Sequence, residues 1–558
     1  MFLLFAGCIS LQIWTSVSLP SFWPNPVSFK ADGVSECRFR QPFAFSMRKI
    51  LMNEGSDAPI SQIIASSVQR YNQKYAKIVS SVKFRSGSTC RVATCELNVR
   101  NPQGRIADDT KSESYEIEFD DDKDCEILCE TAFGCMHGMQ TFLQMLDPLQ
   151  GNKLASKFYI KDQPAFSYRG LLLDTSRHFI PTSLILENID LMVATKMNVL
   201  HWHISDDPSF PLELECCPHL SGKGSFSERA KYSKLEVREI VEYAAFRGVR
   251  IIPELDIPGH TESWIKGYPE LLGKAKSGID PTREENYVFL EGVLKEVVEL
   301  FSSSRPVYEG KPVIHLGGDE TGDGWDTESI REWMKAKGLQ SKADLIAIWV
   351  SRLSDIAKKL DFRIMMWDDF LGESNQGSIP KFGDADNPII WQTWRSSFED
   401  SVTLSSQLSR QMVFSRDFYL DHLQDDWTTF YSIKVNQFRK GNVIGGEACM
   451  WGEWVDDSNL ISRVWPRTAA VAERLWSGVN GESSDFTISA SKRLAKWRCR
   501  MREFFGYREI EPIGPIRVQH PDEEMVWHTD KEGWYCAESS LSLNEEGLGG
   551  KRVIMTRK

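Results

Sequence analysis

From about residue 168 onward, the chain repeats a pattern of short apolar run, polar loop and amphipathic segment. The apolar runs do not alternate with polar residues, which is typical of strands buried on both faces. The intervening segment 182–196 has Ile185, Ile189 and Met192 on one helical face,. Strands are predicted at 170–174, 198–204, 249–255, 312–316, 363–367, 388–391, 411–415 and 443–446. Eight strands alternating with helices predict an α/β fold, a (β/α)8 TIM barrel, with a doubly wound open sheet as the alternative.

The segment before the barrel has a mixed pattern. Residues 60–78 carry apolar positions at helical spacing, residues 115–119 alternate as in a half-buried strand, and residues 132–146 read as a second helix,. We therefore expect a smaller α+β domain at 19–162 and a barrel domain at 163–512. The remaining residues, 513–558, are predicted to be a C-terminal tail that packs on the barrel or trails from it.

The first residues are apolar from Phe2 to Trp14, a run too short to span a bilayer,. Ser16, Val17 and Ser18 then form a small-x-small cleavage pattern, which predicts a signal peptide at 1–18. A buried N-terminal strand is the alternative interpretation. No later apolar run is long enough for a membrane helix, so we expect no membrane span. The predicted route is the secretory pathway, ending in a lysosome or vacuole or outside the cell.

The charge of the chain narrows the kinds of partner, and its cysteine content predicts disulfides. The net charge is −12 and the sequence pI about 5.5, which argues against nucleic acid or an anionic membrane as the main partner. Of the twelve cysteines, Cys8 would leave with the signal peptide. The other eleven predict disulfides of open connectivity and at least one free thiol. No N-x-S/T sequon is present, so the final compartment stays open.

Polar and aromatic side chains follow the predicted strands at their carboxyl ends, where the functional residues of a TIM barrel are expected. Solvated loop charges explain some of these positions, but they do not readily explain the accompanying tryptophans. The positions are Arg177, Asp206, Asp207, Asp256, His260, Asp319, Glu320, Asp368, Asp369, Trp394, Asp421 and Glu453.

The segment from His315 to Glu320 carries the most specific chemistry. A predicted strand runs into Gly317 and Gly318, and then into the adjacent carboxylates Asp319 and Glu320. The glycines allow a tight turn, or the close approach of a substrate. Adjacent carboxylates repel each other when both are ionised, so one of them can act as an acid while its neighbour stays charged. A plain acidic loop or a cation site is the alternative.

Further segments occur in a fixed order around this one. They are GLLLDTSRHF (170–179), NVLHWHISDDPSFPLE (198–213), PELDIPGHTESW (253–264), HLGGDET (315–321), FYLD (418–421), GGEACMWGEW (445–454) and WPRTAAVAERLWS (465–477). Together they resemble the β-N-acetylhexosaminidases of glycoside hydrolase family 20, eukaryotic type, over residues 20–505. The resemblance weakens in the N-terminal domain and in the tail.

The resemblance implies a retaining exo-hydrolase that removes terminal non-reducing β-linked GlcNAc or GalNAc and needs no cofactor or metal. Glu320 matches the general acid/base, and Asp319 matches the residue that orients the substrate's 2-acetamido group. The acetamido oxygen is then the nucleophile and forms an oxazoline intermediate, a known exception to the two-carboxylate scheme. The implied partner is an oligosaccharide or glycoconjugate, and a homodimer is possible.

The resemblance also implies roles for the surrounding residues. Tyr419 matches the residue that hydrogen-bonds the acetamido oxygen, and Asp206 orients His260, which acts on Glu320. The implied substrate-binding residues are Arg177, Trp367, Trp394, Trp451, Asp421 and Glu453. Trp391 is close enough to Trp394 for that assignment to be off by one strand position, and Trp202 and Trp465 are expected in the core.

Two other function classes were weighed. His201 and His203 form an H-x-H pair that opens the metal sites of some barrel hydrolases, although a hydrogen-bonding core role is favoured. A lectin that has lost catalysis is the second, but the residues implied in catalysis are all present.

Three features depart from the family or remain unexplained. Asp369 stands where a glutamate is expected, Cys216 and Cys217 have no evident role, and Cys536 is a candidate partner for Cys499.

A carboxylate at Asp421 should repel anionic sugars, so we expect a preference for neutral substrates.

Overall fold

The computed structural model describes residues 21–38, 43–47, 59–80, 90–106, 109–146, 153–302, 307–373, 387–478, 484–514, 516–519 and 525–528. The predicted signal peptide and most of the predicted tail, including Cys536, lie outside the described residues. The domain boundaries at 18/19, 162/163 and 512/513 stay predictions.

The N-terminal part is a six-stranded mixed sheet with two helices, in the strand order β1-β6-β4-β5-β3-β2. Its alternating strands bury one face: in the strand of residues 115–120, Tyr115, Ile117 and Phe119 are buried. This confirms the predicted α+β character, since the predicted helices and strand are present. The elements are β1 Ser28–Arg38, β2 Ala44–Met47, α1 Pro59–Ser80, β3 Thr94–Val99, β4 Tyr115–Asp120, β5 Asp124–Cys129, α2 Ala132–Met145 and β6 Lys153–Asp162.

Eight parallel strands then close into a barrel, each near a predicted position. They are β7 Tyr168–Asp174, β8 Val199–Ser205, β9 Arg250–Leu255, β10 Val313–His315, β11 Arg363–Trp367, β12 Ile390–Thr393, β13 Met412–Phe414 and β14 Val443–Met450. Because β14 pairs with β7, the sheet has no open edge. The (β/α)8 prediction is confirmed, and the open doubly wound sheet is excluded.

Helices cover the outside of the barrel and pack on it through one large apolar core. Their bounds are α3 Thr182–Ala194, α4 His219–Gly224, α5 Lys234–Ala245, α6 Glu262–Gly267, α7 Glu284–Phe301, α8 Glu328–Ala336, α9 Lys342–Leu360, α10 Asp369–Glu373, α11 Phe398–Leu408, α12 Trp427–Tyr431, α13 Leu460–Val464, α14 Arg467–Ser477 and α15 Ser484–Phe505. A short hairpin follows, β15 Ile516–Gln519 and β16 Met525–His528.

A buried polar cluster joins the first sheet to the amino-terminal end of the barrel. Arg169, in β7, donates to Glu113 at 2.6 Å, and Lys196 lies 2.8 Å from Asp162. The indole N–H of Trp476 also donates to Asp162 at 3.0 Å. Burial raises the pKa of Glu113, but the charge of Arg169 and a hydrogen bond from His137 outweigh it and lower the pKa to about 2.

Disulfides tie the N-terminal sheet together. Cys95 is bonded to Cys125, and Cys129 is bonded to Cys135. Cys90 and Cys499 are disulfide-bonded as well. The predicted pairing of Cys499 with Cys536 lies outside the described residues. Cys216, Cys217 and Cys449 are free thiols, which confirms the expectation of at least one.

Candidate active site

The loop after β10 presents the two adjacent carboxylates, and its backbone requires glycine. Gly317 has φ 58° and Gly318 has φ 95°, both in the left-handed region,. A Cβ on Gly317 would lie 1.6 Å from Oδ1 of Asp256. The first glycine therefore makes room for a neighbouring carboxylate rather than for a substrate, and the turn is as tight as the sequence predicts.

Asp319 and Glu320 are adjacent in sequence but lie in different environments. Only 12 % of the Asp319 side chain is exposed, whereas 55 % of the Glu320 side chain is exposed. Oδ1 of Asp319 is buried and has no hydrogen-bond partner among the described residues. Glu320 also has φ 46°, a strained value for a side chain with a Cβ, and such strain collects at functional sites.

His260 stands beside both carboxylates, with its own backbone at φ 49°. Its Nδ1 lies 3.1 Å from Oδ1 of Asp206, and its Nε2 lies 3.5 Å from Asp319 and 3.7 Å from Glu320. Burial lowers the pKa of His260, but the charge of Asp256 and the hydrogen bond to Asp206 outweigh it and raise the pKa to about 12. The predicted Asp206–His260 pair is therefore in contact and is turned toward the carboxylates.

Two further aspartates stand next to this group. Burial and the charge of Asp319 raise the pKa of Asp256 well above its usual range, and the same two causes raise that of Asp369 to about 6. Asp369 accepts hydrogen bonds from the Trp394 indole at 2.6 Å and from the Glu320 amide at 3.3 Å. Asp369 thus connects the Trp394 ring to the loop that carries Asp319 and Glu320.

Arg177 lies in the segment after β7 and contacts the same aspartate as His260. Its guanidinium is 2.7 Å from Asp206 and 3.1 Å from Asp174. It stacks over the ring of Trp451 at 5.1 Å and faces Glu453 at 3.9 Å. Three strand ends, those of β7, β8 and β14, thus meet at Arg177, because carboxyl ends of parallel barrel strands share one face.

Aromatic rings surround the pocket. Trp367 and Trp451 have ring centroids 5.9 Å apart, Trp394 stacks with Tyr419 at 6.3 Å, and Tyr419 lies 6.3 Å from Trp451. These rings join one cluster over Leu172 and Cys449.

The remaining tryptophans are separate from this cluster. Trp391 is buried in the main apolar core, whereas Trp394 packs against the aromatic cluster. Trp202 and Trp465 are also in that core, as expected.

Asp421 and Glu453 lie farther out. Oδ1 of Asp421 is buried and accepts no hydrogen bond from the part of the chain that the structure describes. Half of the Glu453 side chain is exposed. Asp421 thus has an acceptor oxygen that no described residue uses, and Glu453 is open to solvent.

Sequence reasoning missed a buried network below the catalytic loop. Glu254, inside β9, lies 2.5 Å from His203, 3.1 Å from His201 and 2.9 Å from His315, and it accepts from the Trp367 indole at 2.8 Å. The available signal was an ionisable residue inside an apolar strand, in the segment PELD. Such a residue needs partners because an unpaired buried charge is costly.

Glu447 is the second buried carboxylate of the barrel interior. It lies 2.8 Å from Nδ1 of His201 and accepts hydrogen bonds from Tyr168 at 2.5 Å and Gln392 at 2.6 Å. Burial lowers the pKa of His201, but the charges of Glu447 and Glu254 outweigh it and raise the pKa to about 9. The hydrogen-bonding core role favoured for His201 and His203 is confirmed.

The metal alternative was tested against the same residues. Among the residues that the structure describes, three groups have donor atoms within reach of a single ion: His201, Glu254 and His315; His203, Glu254 and Asp256; and Asp206, Asp256 and His260. Hydrogen bonds and ion pairs within these groups already explain the proximity of most of their members. A metal-free site stays a prediction.

Comparison with known proteins decides the family. A model described as "Glycosyl hydrolase family 20, catalytic domain" matches residues 166–479. The chain belongs to glycosyl hydrolase family 20. A second model, "beta-acetyl hexosaminidase like", matches residues 22–145. The resemblance noted from the sequence is thereby confirmed.

Individual relatives agree with this assignment. The family-20 chain is similar to the beta-hexosaminidase subunit alpha of Mus musculus, 36% identical over 437 residues, which cover 74% of this chain and 78% of the relative. Beta-hexosaminidase 1 of Arabidopsis thaliana is 34% identical over 416 residues, covering 70% and 73%. The solved chitobiase of Flavobacterium johnsoniae superposes with a TM-score of 0.71 at 26% identity, covering 88% of this chain and 74% of that one. The family-20 chain is a glycoside hydrolase of the β-N-acetylhexosaminidase type.

Two properties bear on where this hydrolase works. Disulfides such as Cys95–Cys125 are typical of proteins that mature in an oxidising compartment, here the secretory pathway,. Within the described ranges, no helix combines the length and the apolar character needed to cross a bilayer.

Proposed function

We propose that this family-20 hydrolase is a retaining exo-β-N-acetylhexosaminidase that removes terminal non-reducing β-linked GlcNAc or GalNAc by substrate-assisted catalysis. The observation that carries the proposal is the contrast between Asp319 and Glu320. One carboxylate is buried with a free acceptor oxygen, and the other opens toward solvent from the same turn. Side-by-side acids suit a reaction in which the nucleophile belongs to the substrate.

In the first step, Oδ1 of Asp319 accepts the N–H of the 2-acetamido group. The O–H of Tyr419 donates to the acetamido oxygen and aligns it with the anomeric carbon. That oxygen attacks the carbon while Glu320 gives its proton to the leaving glycosidic oxygen. The products of this step are a bound N-protonated oxazoline (an oxazolinium ion), whose N–H stays hydrogen-bonded to Asp319, and a free aglycone alcohol.

In the second step, Glu320 acts as a base. Its exposed carboxylate takes a proton from water, and the water oxygen attacks the anomeric carbon as the oxazoline ring opens. Two displacements at the same carbon retain its configuration. The exposure of Glu320 supports this role because both the leaving group and the water must reach it.

His260 and Asp206 position the acid. His260 contacts Asp319 and Glu320 through one ring nitrogen and Asp206 through the other. Because its pKa is raised to about 12, the imidazolium keeps its charge across the physiological range. It therefore steadies the negative charges beside the reacting sugar.

The pocket walls define which sugar fits. Trp367, Trp394 and Trp451 bury the apolar face of the pyranose and the acetamido methyl. Arg177, Asp421 and Glu453 bind its outer hydroxyls, which suits a terminal sugar and exo action. The carboxylate of Asp421 disfavours sulfated sugars, so neutral substrates are preferred.

The test is hydrolysis of chromogenic N-acetyl-β-glucosaminide and β-galactosaminide from pH 3 to 8 by the wild type, Glu320→Gln and Asp319→Asn. We expect turnover by the wild type, loss of about 10³-fold or more in each variant, and a β-configured first product by NMR. Turnover should survive EDTA. Sugar binding without turnover by the folded wild type would favour the lectin alternative instead.

We also propose a working compartment and an assembly state for this enzyme. The mature enzyme acts in a lysosome, a vacuole or the extracellular space, on glycans rather than nucleic acids, and it can dimerise. Light scattering of the purified chain tests the assembly.

A further inference from the structure

The loop between β8 and α4 carries two adjacent cysteines that the proposed reaction does not use. Cys216 and Cys217 are free, whereas six other cysteines of the described part are disulfide-bonded. Cys216 is exposed and Cys217 is buried. A chain that oxidises most of its thiols thus keeps an adjacent pair reduced, with one sulfur open to solvent.

We propose that Cys216 and Cys217 are a thiol–disulfide exchange site. Small disulfides of the glutathione class convert the pair reversibly into a vicinal disulfide, and this closure lowers the turnover of the enzyme.

The two thiols are placed for exchange with each other. They are adjacent in the chain, and the exposed Cys216 stands next to the buried Cys217. The exposed sulfur of Cys216 is the one that an incoming disulfide can reach, and attack by its thiolate begins the exchange.

The surrounding loop is held in place. The amides of Glu215 and Cys216 donate to the carboxylate of Glu296 at 2.7 and 2.9 Å. Lys234 in turn lies 3.0 Å from Glu296. Helix α7 therefore anchors the backbone on one side of the pair.

Closure is expected to be reversible for a geometric reason. Adjacent Cα atoms lie about 3.8 Å apart across a trans peptide, which is shorter than the roughly 4.4–6.8 Å that disulfides prefer. A vicinal disulfide is therefore strained and easily reduced, as labile and regulatory disulfides are. It differs in this respect from the bond between Cys95 and Cys125.

The exchange balances in two steps. Cys216 attacks glutathione disulfide, forms a mixed disulfide and releases one glutathione. Cys217 then attacks the Cys216 sulfur, closes the vicinal bond and releases the second glutathione. The two protein thiols lose two electrons and two protons, and glutathione disulfide gains both.

A short path leads from the pair to the active site. The carbonyl of Cys217 accepts a hydrogen bond from Leu220, in the first turn of α4, at 3.0 Å. Helix α4 packs closely on α6 at two glycines. A Cβ on Gly267 would lie 2.5 Å from the His219 carbonyl oxygen, and a Cβ on Gly224 would lie 2.8 Å from the Ser263 carbonyl oxygen.

Helix α6 in turn touches the catalytic support. The Ser263 hydroxyl donates to the Asp206 carbonyl at 2.6 Å, and α6 begins two residues after His260. A change in the Cys217 backbone therefore displaces α4 and α6 and disturbs the Asp206–His260 contact.

The test is incubation of the folded protein in glutathione buffers of increasing disulfide fraction, followed by intact mass, peptide mapping and kinetics. We expect a loss of two hydrogen atoms, mapped to the peptide holding Cys216 and Cys217. We also expect a fall in kcat of roughly tenfold, and recovery of both with dithiothreitol.

Cys216→Ser is the control, since this side chain is exposed and outside the catalytic group. In reducing buffer, the activity of this variant should match that of the wild type. Incubation with glutathione disulfide should leave its kcat unchanged. Three outcomes overturn the proposal: no mass loss at any buffer ratio, a persistent glutathione adduct on Cys216, or closure without any change in kcat. The mass readout is independent of turnover, so a failure here is distinguishable from a failure of the proposed function.

Discussion

Nδ1 of His203 lies 2.5 Å from Oε2 of Glu254, in the barrel interior below the catalytic loop. The other nitrogen of the same imidazole lies 2.8 Å from Asp206. Asp206 reaches His260, and His260 reaches Asp319 and Glu320. A continuous chain of contacts therefore runs from a buried carboxylate to the catalytic pair, and it makes Glu254 a positioning residue.

Glu254→Gln removes the charge that the surrounding imidazoles share. We expect kcat to fall by roughly 10–100-fold, as for other residues that orient a functional group, and the pH profile of kcat to change shape. The free energy of unfolding should fall by about 3 kcal/mol or more. Steady-state kinetics and urea unfolding measure both. The exposed Glu270→Gln is the control, and a Glu254→Gln enzyme with wild-type kcat and pH profile would contradict the positioning role.

His260 gives a prediction whose sign depends on pH. Its pKa rises from 6.5 to about 12 in the folded chain. Its contribution to stability is therefore complete below pH 6.5 and is lost as the pH rises toward 12. The stability deficit of His260→Gln, relative to the wild type, should be larger at pH 5 than at pH 9 in urea unfolding. The exposed His219→Gln should show little deficit at either pH, and a deficit that grows with pH would refute the charged state of His260.

Glu113 tests the joint between the first sheet and the barrel. Its pKa is lowered from 4.5 to about 2, so its contribution to stability is present above pH 4.5 and is lost as the pH falls toward 2. This amounts to about 3 kcal/mol at neutral pH. Glu113→Gln should lower the unfolding midpoint strongly at pH 7 and much less at pH 3. Glu118→Gln, at an exposed position of β4, should be neutral, and equal midpoints for Glu113→Gln and the wild type at pH 7 would contradict the account.

Trp391 and Trp394 form a matched pair three residues apart. Trp394→Ala removes a pocket wall, so KM should rise by roughly tenfold or more while the fold persists. Trp391→Ala empties a core position and should cost about 3–5 kcal/mol of stability. Michaelis–Menten kinetics and thermal unfolding separate the two effects. If Trp391→Ala raised KM and Trp394→Ala lowered the stability, Trp391 rather than Trp394 would lie in the pocket.

The proposed repulsion of anionic sugars by Asp421 can be tested with a sulfated substrate. The wild type should hydrolyse neutral N-acetylglucosaminides faster than 6-sulfated ones. Asp421→Asn removes the repulsion and should raise the sulfated-to-neutral ratio of kcat/KM by roughly tenfold. Competition between the two substrates measures this ratio directly. Faster hydrolysis of the sulfated substrate by the wild type would show that Asp421 does not exclude anionic sugars.

Several features of this enzyme were determined by the sequence alone. The eight barrel strands were predicted within a few residues, because strands buried on both faces require continuous apolar runs between turn residues. The pair Asp319–Glu320 and its partners His260 and Asp206 were also predicted, because the order of the segments at strand ends is specific to the family. The apolar runs and the motif segments are each read from a short stretch of consecutive residues.

Only the tertiary structure decided the remaining features. The different exposure of Asp319 and Glu320 depends on which residues the turn packs against. The pairing of Cys95 with Cys125 depends on the sheet bringing distant positions together. The network around Glu254 joins side chains from four strands that only barrel closure makes neighbours. Each depends on long-range contacts, and distance along the chain carries no information about distance across a barrel.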